Sequence, residues 1–155
     1  MKKFIVIALS LAVAGISIGF VSPLFFNTTI DEPLPTRFMM EETLMEAKAY
    51  SGMFVGVNDG IHNAEGESKV IPLDNGNRVL RLENFKSTNG PDLYVYLATD
   101  KAASDFVDLG RLKANMGNQN YDIPSDVDLE KYNNVLIWCK SFGVLFGSSE
   151  LTISQ

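Results

Sequence analysis

The chain has 155 residues and a net charge of −6, from 13 basic and 19 acidic side chains. This acidic balance argues against a nucleic-acid partner, because nucleic-acid binding requires basic patches. A single cysteine excludes an intrachain disulfide, and without a cluster of Cys and His residues no zinc site of the usual spacing can form.

The chain begins with two lysines and then a long apolar run. Residues 4–26 carry no charged side chain, and a helix needs about 20 apolar residues to cross a bilayer. The run therefore predicts a transmembrane signal anchor over residues 1–26, with its N-terminus in the cytoplasm by the positive-inside bias and the domain extracytoplasmic. The alternative is cleavage after Ala12-Val13-Ala14. Cleavage there would give a secreted protein but leave an apolar new N-terminus.

Residues 27–49 are predicted to link this anchor to a folded domain. Asn27–Pro35 is polar, contains two prolines and is typical of a spacer leaving the membrane. From Thr36 to Ala49, apolar side chains recur roughly at the spacing of one helix face, which predicts a short helical stalk.

From Tyr50 onward the pattern is one of short strands separated by turns. An Asn-Gly pair at residues 75–76 predicts a hairpin, since it accepts the positive φ angles of a tight β-turn. Ser125–Tyr132 resembles one or two helical turns with Ser125 as cap. Many short strands with turn signals between them predict an all-β domain over residues 50–155, an antiparallel β-sandwich or a barrel-like fold.

The most apolar part of this domain, residues 134–146, holds the only Trp and the only Cys. Alternation places Val135, Ile137 and Cys139 on one face of a strand and Leu136 and Trp138 on the other. Both faces are apolar, which predicts a central strand covered on both sides. Cys139 then faces either the core, as an inert small hydrophobe, or a pocket at the end of the strand.

Few residues are suited to catalysis. His62 is the only histidine; imidazole and thiolate are suitable ligands for haem iron or copper, so His62 and Cys139 could form a pair if the fold brings them together. No nucleophile elbow or phosphate-binding loop is present, and the acidic residues 122–130 do not match a calcium loop. These absences favour a protein that is not a self-contained enzyme, and a hydrolase is the least supported class.

Several segments, taken in order, resemble the DM-thirteen domain, an extracellular module found beside DOMON domains in Skeletor-type proteins. The segments that carry the resemblance are Leu80–Phe85, Asn89–Leu97, Leu109–Lys113, Gly117–Pro124 and Val135–Phe142. The resemblance implies a β-rich extracytoplasmic domain. Its characteristic cysteine corresponds to Cys139 and is proposed to act as a redox thiol or as a ligand of a prosthetic group such as haem. It also implies a histidine near His62. No DOMON domain accompanies it here, so an electron partner must be another protein or a diffusible cofactor.

Two functional hypotheses follow. The first is a membrane-anchored extracytoplasmic β domain with a redox or electron-transfer role centred on Cys139. The second is a non-catalytic surface module for protein interaction or adhesion, using Tyr94, Tyr96 and the loop at Gly90-Pro91, because exposed aromatic residues favour interfaces. Burial of the two tyrosines would remove the main support for the second.

Overall fold

The computed structural model describes residues 26–35, 49–73 and 76–153, and every regular element in these ranges is a β-strand. The strands are β1 (Thr29–Asp31), β2 (Tyr50–Gly56), β3 (Ala64–Pro72), β4 (Arg78–Ser87), β5 (Leu93–Ala98), β6 (Phe106–Arg111), β7 (Met116–Ile123), β8 (Asn134–Cys139), β9 (Val144–Glu150) and β10 (Thr152–Ile153). The predicted all-β class is confirmed.

The strands form one curled, open sheet, a half-barrel rather than a closed barrel or a sandwich. Its order is β1-β7-β4-β3-β2-β9-β8-β5-β6, with β10 added beside β2. Strand β2 joins the two halves, because Tyr50–Met53 pairs with β3 and Phe54–Gly56 pairs with β9. The predicted hairpin is confirmed: β3 and β4 pair antiparallel, and Gly76 has a φ of 79°.

The predicted helical segments lie largely outside the described residues, which include only Phe26 of the anchor and only Ala49 of the stalk. Within the described ranges, no helix has the length and hydropathy needed to span a bilayer.

Strands β5 and β8 lie at the centre of one half of the sheet and are covered on both faces. Inward-facing side chains of both strands, among them Val95, Ile137 and Cys139, belong to the main core. The outward face holds a second cluster in which Tyr96 and Leu136 are buried and Trp138 is partly buried. The prediction that β8 is a central, doubly covered strand is therefore confirmed.

The segment Ser125–Tyr132 contains turns and no helix, so the predicted helical turns are wrong. One hydrogen bond of helical spacing is present, from the Tyr132 amide to the Asp128 carbonyl at 2.8 Å. Val127 and Leu129 are both buried while Asp128 between them is exposed. A helix would place residues two apart on nearly opposite faces, so burying both requires an extended backbone.

The polar segment after the apolar run is not the free spacer that its composition predicts. Thr29–Asp31 forms β1, which pairs parallel with β7. The Met116 amide donates to the Thr28 carbonyl at 3.1 Å, and the Glu32 amide donates to the Asn118 carbonyl at 2.9 Å. These hydrogen bonds make residues 28–32 part of the sheet. Their polar side chains are tolerated because an edge strand pairs its backbone on one side only and leaves the other side to solvent.

Candidate functional site

Four loops meet at one end of the half-barrel, around residues 88–92. The Thr88 amide donates to the Asn63 carbonyl at 3.0 Å, and the Lys140 amide donates to the Asp92 carbonyl at 3.0 Å. The Ser87 amide next to the loop donates to the Asn115 carbonyl at 2.8 Å. We call this the Cys139 end, formed by residues 57–63, 88–92, 112–115 and 140–143.

Cys139 is the last residue of β8, and its thiol is buried in the main core with 2% of the residue exposed. Its neighbours in register are Leu93 on β5 and Val144 on β9, both apolar. Its carbonyl accepts from the amides of Phe142 at 3.3 Å and Gly143 at 2.8 Å. The backbone of Cys139 therefore closes an exposed turn, while its side chain is buried in the core.

The turn at residues 140–143 is tied to the neighbouring loop by Asp92. The Ser141 hydroxyl donates to Asp92 Oδ2 at 2.6 Å, and Arg111 pairs with the other carboxylate oxygen. The Ser141 hydroxyl, and then the Arg111 guanidinium, hold the pKa of Asp92 below its usual range. The conformation of the turn that follows Cys139 thus depends in part on an ionised carboxylate.

This arrangement predicts an acid-sensitive turn. Since the folded-state pKa of Asp92 is lowered, its contribution to stability is present above about pH 4, the unfolded value. That contribution is lost as the pH falls through the folded-state pKa. We expect Asp92→Asn to reduce the slope of unfolding free energy against pH below pH ~4, measured by urea unfolding. An unchanged slope would show that Asp92 does not hold the turn.

Lys140 adjoins Cys139 in sequence, but its side chain lies on the outer face of the sheet. Its Nζ lies 3.0 Å from Asp108 Oδ2 and 4.5 Å from the centre of the Tyr94 ring. The hydrogen bond that Lys140 donates to Asp108 raises the pKa of Lys140. The ammonium is therefore engaged on the outer face of the sheet and is not placed to activate the thiol.

His62 lies in the β2–β3 loop and is held by Asp59. Its Nδ1 is 2.6 Å from Asp59 Oδ2, and its backbone amide donates to Asp59 Oδ1 at 2.7 Å. The backbone amide first, and then the imidazole, lower the pKa of Asp59 well below its usual range. An ionised carboxylate can only accept, so Nδ1 carries the ring proton and Nε2 is the nitrogen left for another partner.

The structure brings His62 and Cys139 to the same end, connected through apolar side chains. The His62 ring meets Phe146 edge-on at 4.6 Å, and Phe146 belongs to the same core as Cys139. A Cβ at Gly90 would lie 2.7 Å from Leu93 Cδ2 and 2.9 Å from Phe146 Cζ. The missing side chain at Gly90 therefore leaves room for Leu93, which neighbours Cys139, and for Phe146, which contacts His62.

The surroundings of His62 and Cys139 do not fit the haem or copper that the sequence analysis considered as a bound group. The described residues contain no group of three or more His, Cys, Asp or Glu side chains able to hold a metal ion. A cavity of about 160 Å³ lies at this end, lined by Gly90, Leu93 and Arg111 among others, but not by Cys139 or His62. Ligand pockets typically measure about 300–1,000 Å³, so this cavity is too small for a haem.

The aromatic side chains considered for adhesion form a covered layer. Tyr96 is 1% exposed and stacks on Phe106 at 4.3 Å. Its hydroxyl is buried without a hydrogen-bond partner in the described part of the chain. Tyr94 is half-buried, with the cations of Lys140 and Arg111 within 6 Å of its ring, at 4.5 and 5.8 Å. The expected exposed aromatic surface is therefore absent at Tyr96 and reduced at Tyr94.

The structure also assigns roles that sequence reasoning missed. The sequence assigns no role to Asp92, and it offers Gly90 only as part of a loop for protein interaction. Nothing local indicates that Asp92 bonds Ser141, 49 residues away in sequence. The spacing Asp59-Gly60-Ile61-His62 is the one local signal that could have shown the bond between aspartate and histidine.

Fold and site together define a small all-β domain with one buried thiol beneath a turn at its loop end. A family model described as Electron transfer DM13 matches residues 54–151, more than half of the chain. The chain belongs to this family, as the resemblance in sequence indicated. No curated protein and no solved structure matches it.

Proposed function

We propose that this chain is a membrane-anchored electron-transfer domain whose redox chemistry centres on Cys139. The observation that carries the proposal is the match to an electron-transfer family over residues 54–151, a range that includes the only cysteine of the chain. Thiol chemistry, if the domain performs it, must therefore use this side chain. In this proposal the uncharged run 4–26 is the anchor, and Lys2 and Lys3 keep the N-terminus in the cytoplasm, so that the domain lies outside it.

The chemistry that the chain can supply from its own residues is thiol–disulfide exchange. The Cys139 thiolate attacks a sulfur of a partner's disulfide, a new S–S bond forms, and the partner's other sulfur leaves with the electron pair as a thiolate. The thiol proton passes to solvent. Because the thiol is buried, the exchange requires the turn at residues 140–143 to open first.

The first test measures access to the thiol. We expect Cys139 in the native full-length chain to react slowly with a small maleimide, through local opening of the turn. Ser141→Ala removes a hydrogen bond to a carboxylate worth about 1.5–3 kcal/mol, so labelling should become at least about tenfold faster. The exposed Ser125→Ala, in the β7–β8 connection, is the control and should leave the rate unchanged.

Two results would contradict the proposal. One is labelling that appears only in denaturant, together with an unchanged rate in Ser141→Ala. The other is haem or copper in the purified chain, detected by absorbance or metal analysis, which would move the redox centre from the thiol to a bound group. The thiol would then be a ligand rather than the site of exchange.

The second hypothesis, a surface module without chemistry, has lost much of its support because Tyr96 is buried. It would be favoured if Cys139→Ala left both the fold and the cellular role intact. A hydrolytic enzyme has no support in the described residues, where His62 is bonded to Asp59 and no hydroxyl nucleophile is paired with it.

A further inference from the structure

Large apolar side chains protrude from the Cys139 end of the half-barrel. Phe26 is 68% exposed, and Ile61 and Phe142 are each 71% exposed. They come from three separate segments: the chain entry, the β2–β3 loop and the β8–β9 turn. Single exposed apolar residues are common on protein surfaces. Other large apolar side chains such as Met53 and Val55 are exposed along the sheet, but these three project from the end at which the chain enters the domain.

The loops that carry two of these side chains are fixed in place. The Ile61 amide donates to Asp59 Oδ1 at 2.9 Å, and the Phe142 amide donates to the Cys139 carbonyl at 3.3 Å. The loops also meet through residues 88–92, as described above. The protruding side chains therefore belong to a preformed surface.

The chain enters the domain at this same end. Asn27 Oδ1 accepts from Asn89 Nδ2 at 3.2 Å and from Asn115 Nδ2 at 2.9 Å. The Thr28 amide donates to Asn115 Oδ1 at 2.6 Å. Attachment thus begins one residue after Phe26, where the uncharged run 4–26 ends. Since one residue spans at most about 3.6 Å, no slack separates that run from the loops.

Charge indicates which kind of membrane surface would fit. From Asn27 onward the chain has 13 − 2 = 11 basic and 19 acidic residues, a net charge of −8. Such a domain is repelled by anionic lipid. At or next to the Cys139 end, however, the side chains of Arg111 and Lys140 are paired with Asp92 and Asp108 but remain 62% and 51% exposed. They can approach lipid phosphates once the apolar side chains have inserted.

We propose that the Cys139 end docks on the surface of a zwitterionic bilayer, with Phe26, Ile61 and Phe142 inserted into the interfacial region. The proposal rests on the membrane anchoring put forward as part of the function. It places the turn that covers Cys139 against lipid rather than bulk water. A redox partner would then reach the thiol from the plane of the membrane.

The test uses the full-length chain in phosphatidylcholine vesicles. Single cysteines are introduced by Ile61→Cys or Phe142→Cys in a Cys139→Ala background and labelled with an environment-sensitive fluorophore. The exposed Ala102→Cys, in the β5–β6 loop at the opposite end, is the matched control. We expect blue-shifted emission and at least twofold quenching by spin-labelled lipid at residues 61 and 142, and no quenching at residue 102.

Other measurements make each outcome decisive. Trp138 emission verifies that each variant folds. If a variant with Cys139→Ala does not fold, the same single substitution is made with Cys139 retained. The unsubstituted chain then shows how much label Cys139 itself takes up. If the chain floats with vesicles but the fluorophores at residues 61 and 142 are quenched no more than the one at residue 102, the docking proposal is wrong and the anchoring proposal stands. If the chain does not float with vesicles, anchoring and docking fail together, while the reactivity of Cys139 is tested separately.

Discussion

Arg81→Ala is expected to lower the free energy of unfolding by about 3 kcal/mol or more, because it removes one partner from a buried, charged network. Arg81 is 4% exposed, and its Nε donates to Glu83 Oε1 at 2.8 Å. Its Nη1 donates to the carbonyls of Glu32 and Pro33 at 3.1 and 3.2 Å, and to Asn120 Oδ1 at 2.9 Å. The substitution leaves these acceptors without their donor in a confined space.

Lys69→Ala is the matched control, because Lys69 pairs with the same Glu83, at 2.7 Å. The Lys69 side chain is 38% exposed, and exposed ion pairs contribute only about 0–1 kcal/mol. Urea unfolding of the full-length chain in detergent, followed by the fluorescence of Trp138, compares the two variants. Equal losses in the two variants would show that Arg81 acts as an ordinary surface charge.

The Arg81 network also explains why the first strand could not be predicted. Strand β1 has three residues, with a polar or acidic side chain at either end, and its partner β7 lies more than 80 residues further along the chain. The bond from Thr28 to Asn115 alone spans 87 positions. Local pattern correctly indicates a polar segment, but a parallel edge strand is defined only by distant partners.

The elements that could be predicted have local causes. The Asn-Gly pair specifies the hairpin between β3 and β4, and the apolar alternation specifies the two covered faces of β8. Closure into a half-barrel depends on β2 dividing its pairing between β3 and β9. No periodicity within β2 indicates that division.

The candidate site divides in the same way. Cys139 could be identified because it is the only cysteine, lies on a doubly apolar strand and matches the family. Its burial could not, because its neighbours Leu93 and Val144 come from the adjacent strands β5 and β9. Because the thiol is buried, the proposed redox role requires local opening of the fold around Cys139.

Gly117→Ala is expected to detach β1 from the sheet and to cost roughly 4 kcal/mol of unfolding free energy, from backbone strain and lost hydrogen bonds. Gly117 has a φ of 102°, and a Cβ there would lie 1.9 Å from the Ile30 carbonyl oxygen. Backbone atoms cannot yield as a flexible side chain can. The strand must therefore move away from β7.

Gly110→Ala separates the two contributions. Gly110 has a similar φ of 112°, but a Cβ there would meet nothing within 4 Å. It should cost only the strain of a left-handed residue, about 1–2 kcal/mol. Hydrogen exchange at the Met116 amide, which bonds the Thr28 carbonyl, should lose protection in Gly117→Ala and keep it in Gly110→Ala.

A protected Met116 amide in Gly117→Ala, or equal stability of the two variants, would show that β1 accommodates the methyl group. If β1 detaches as expected, the chain entry at Phe26 is no longer fixed to the loops of the Cys139 end. The fluorophores at residues 61 and 142 should then lose their lipid quenching while the chain still floats with vesicles. Docking at the Cys139 end would thus depend on the seam between β1 and β7.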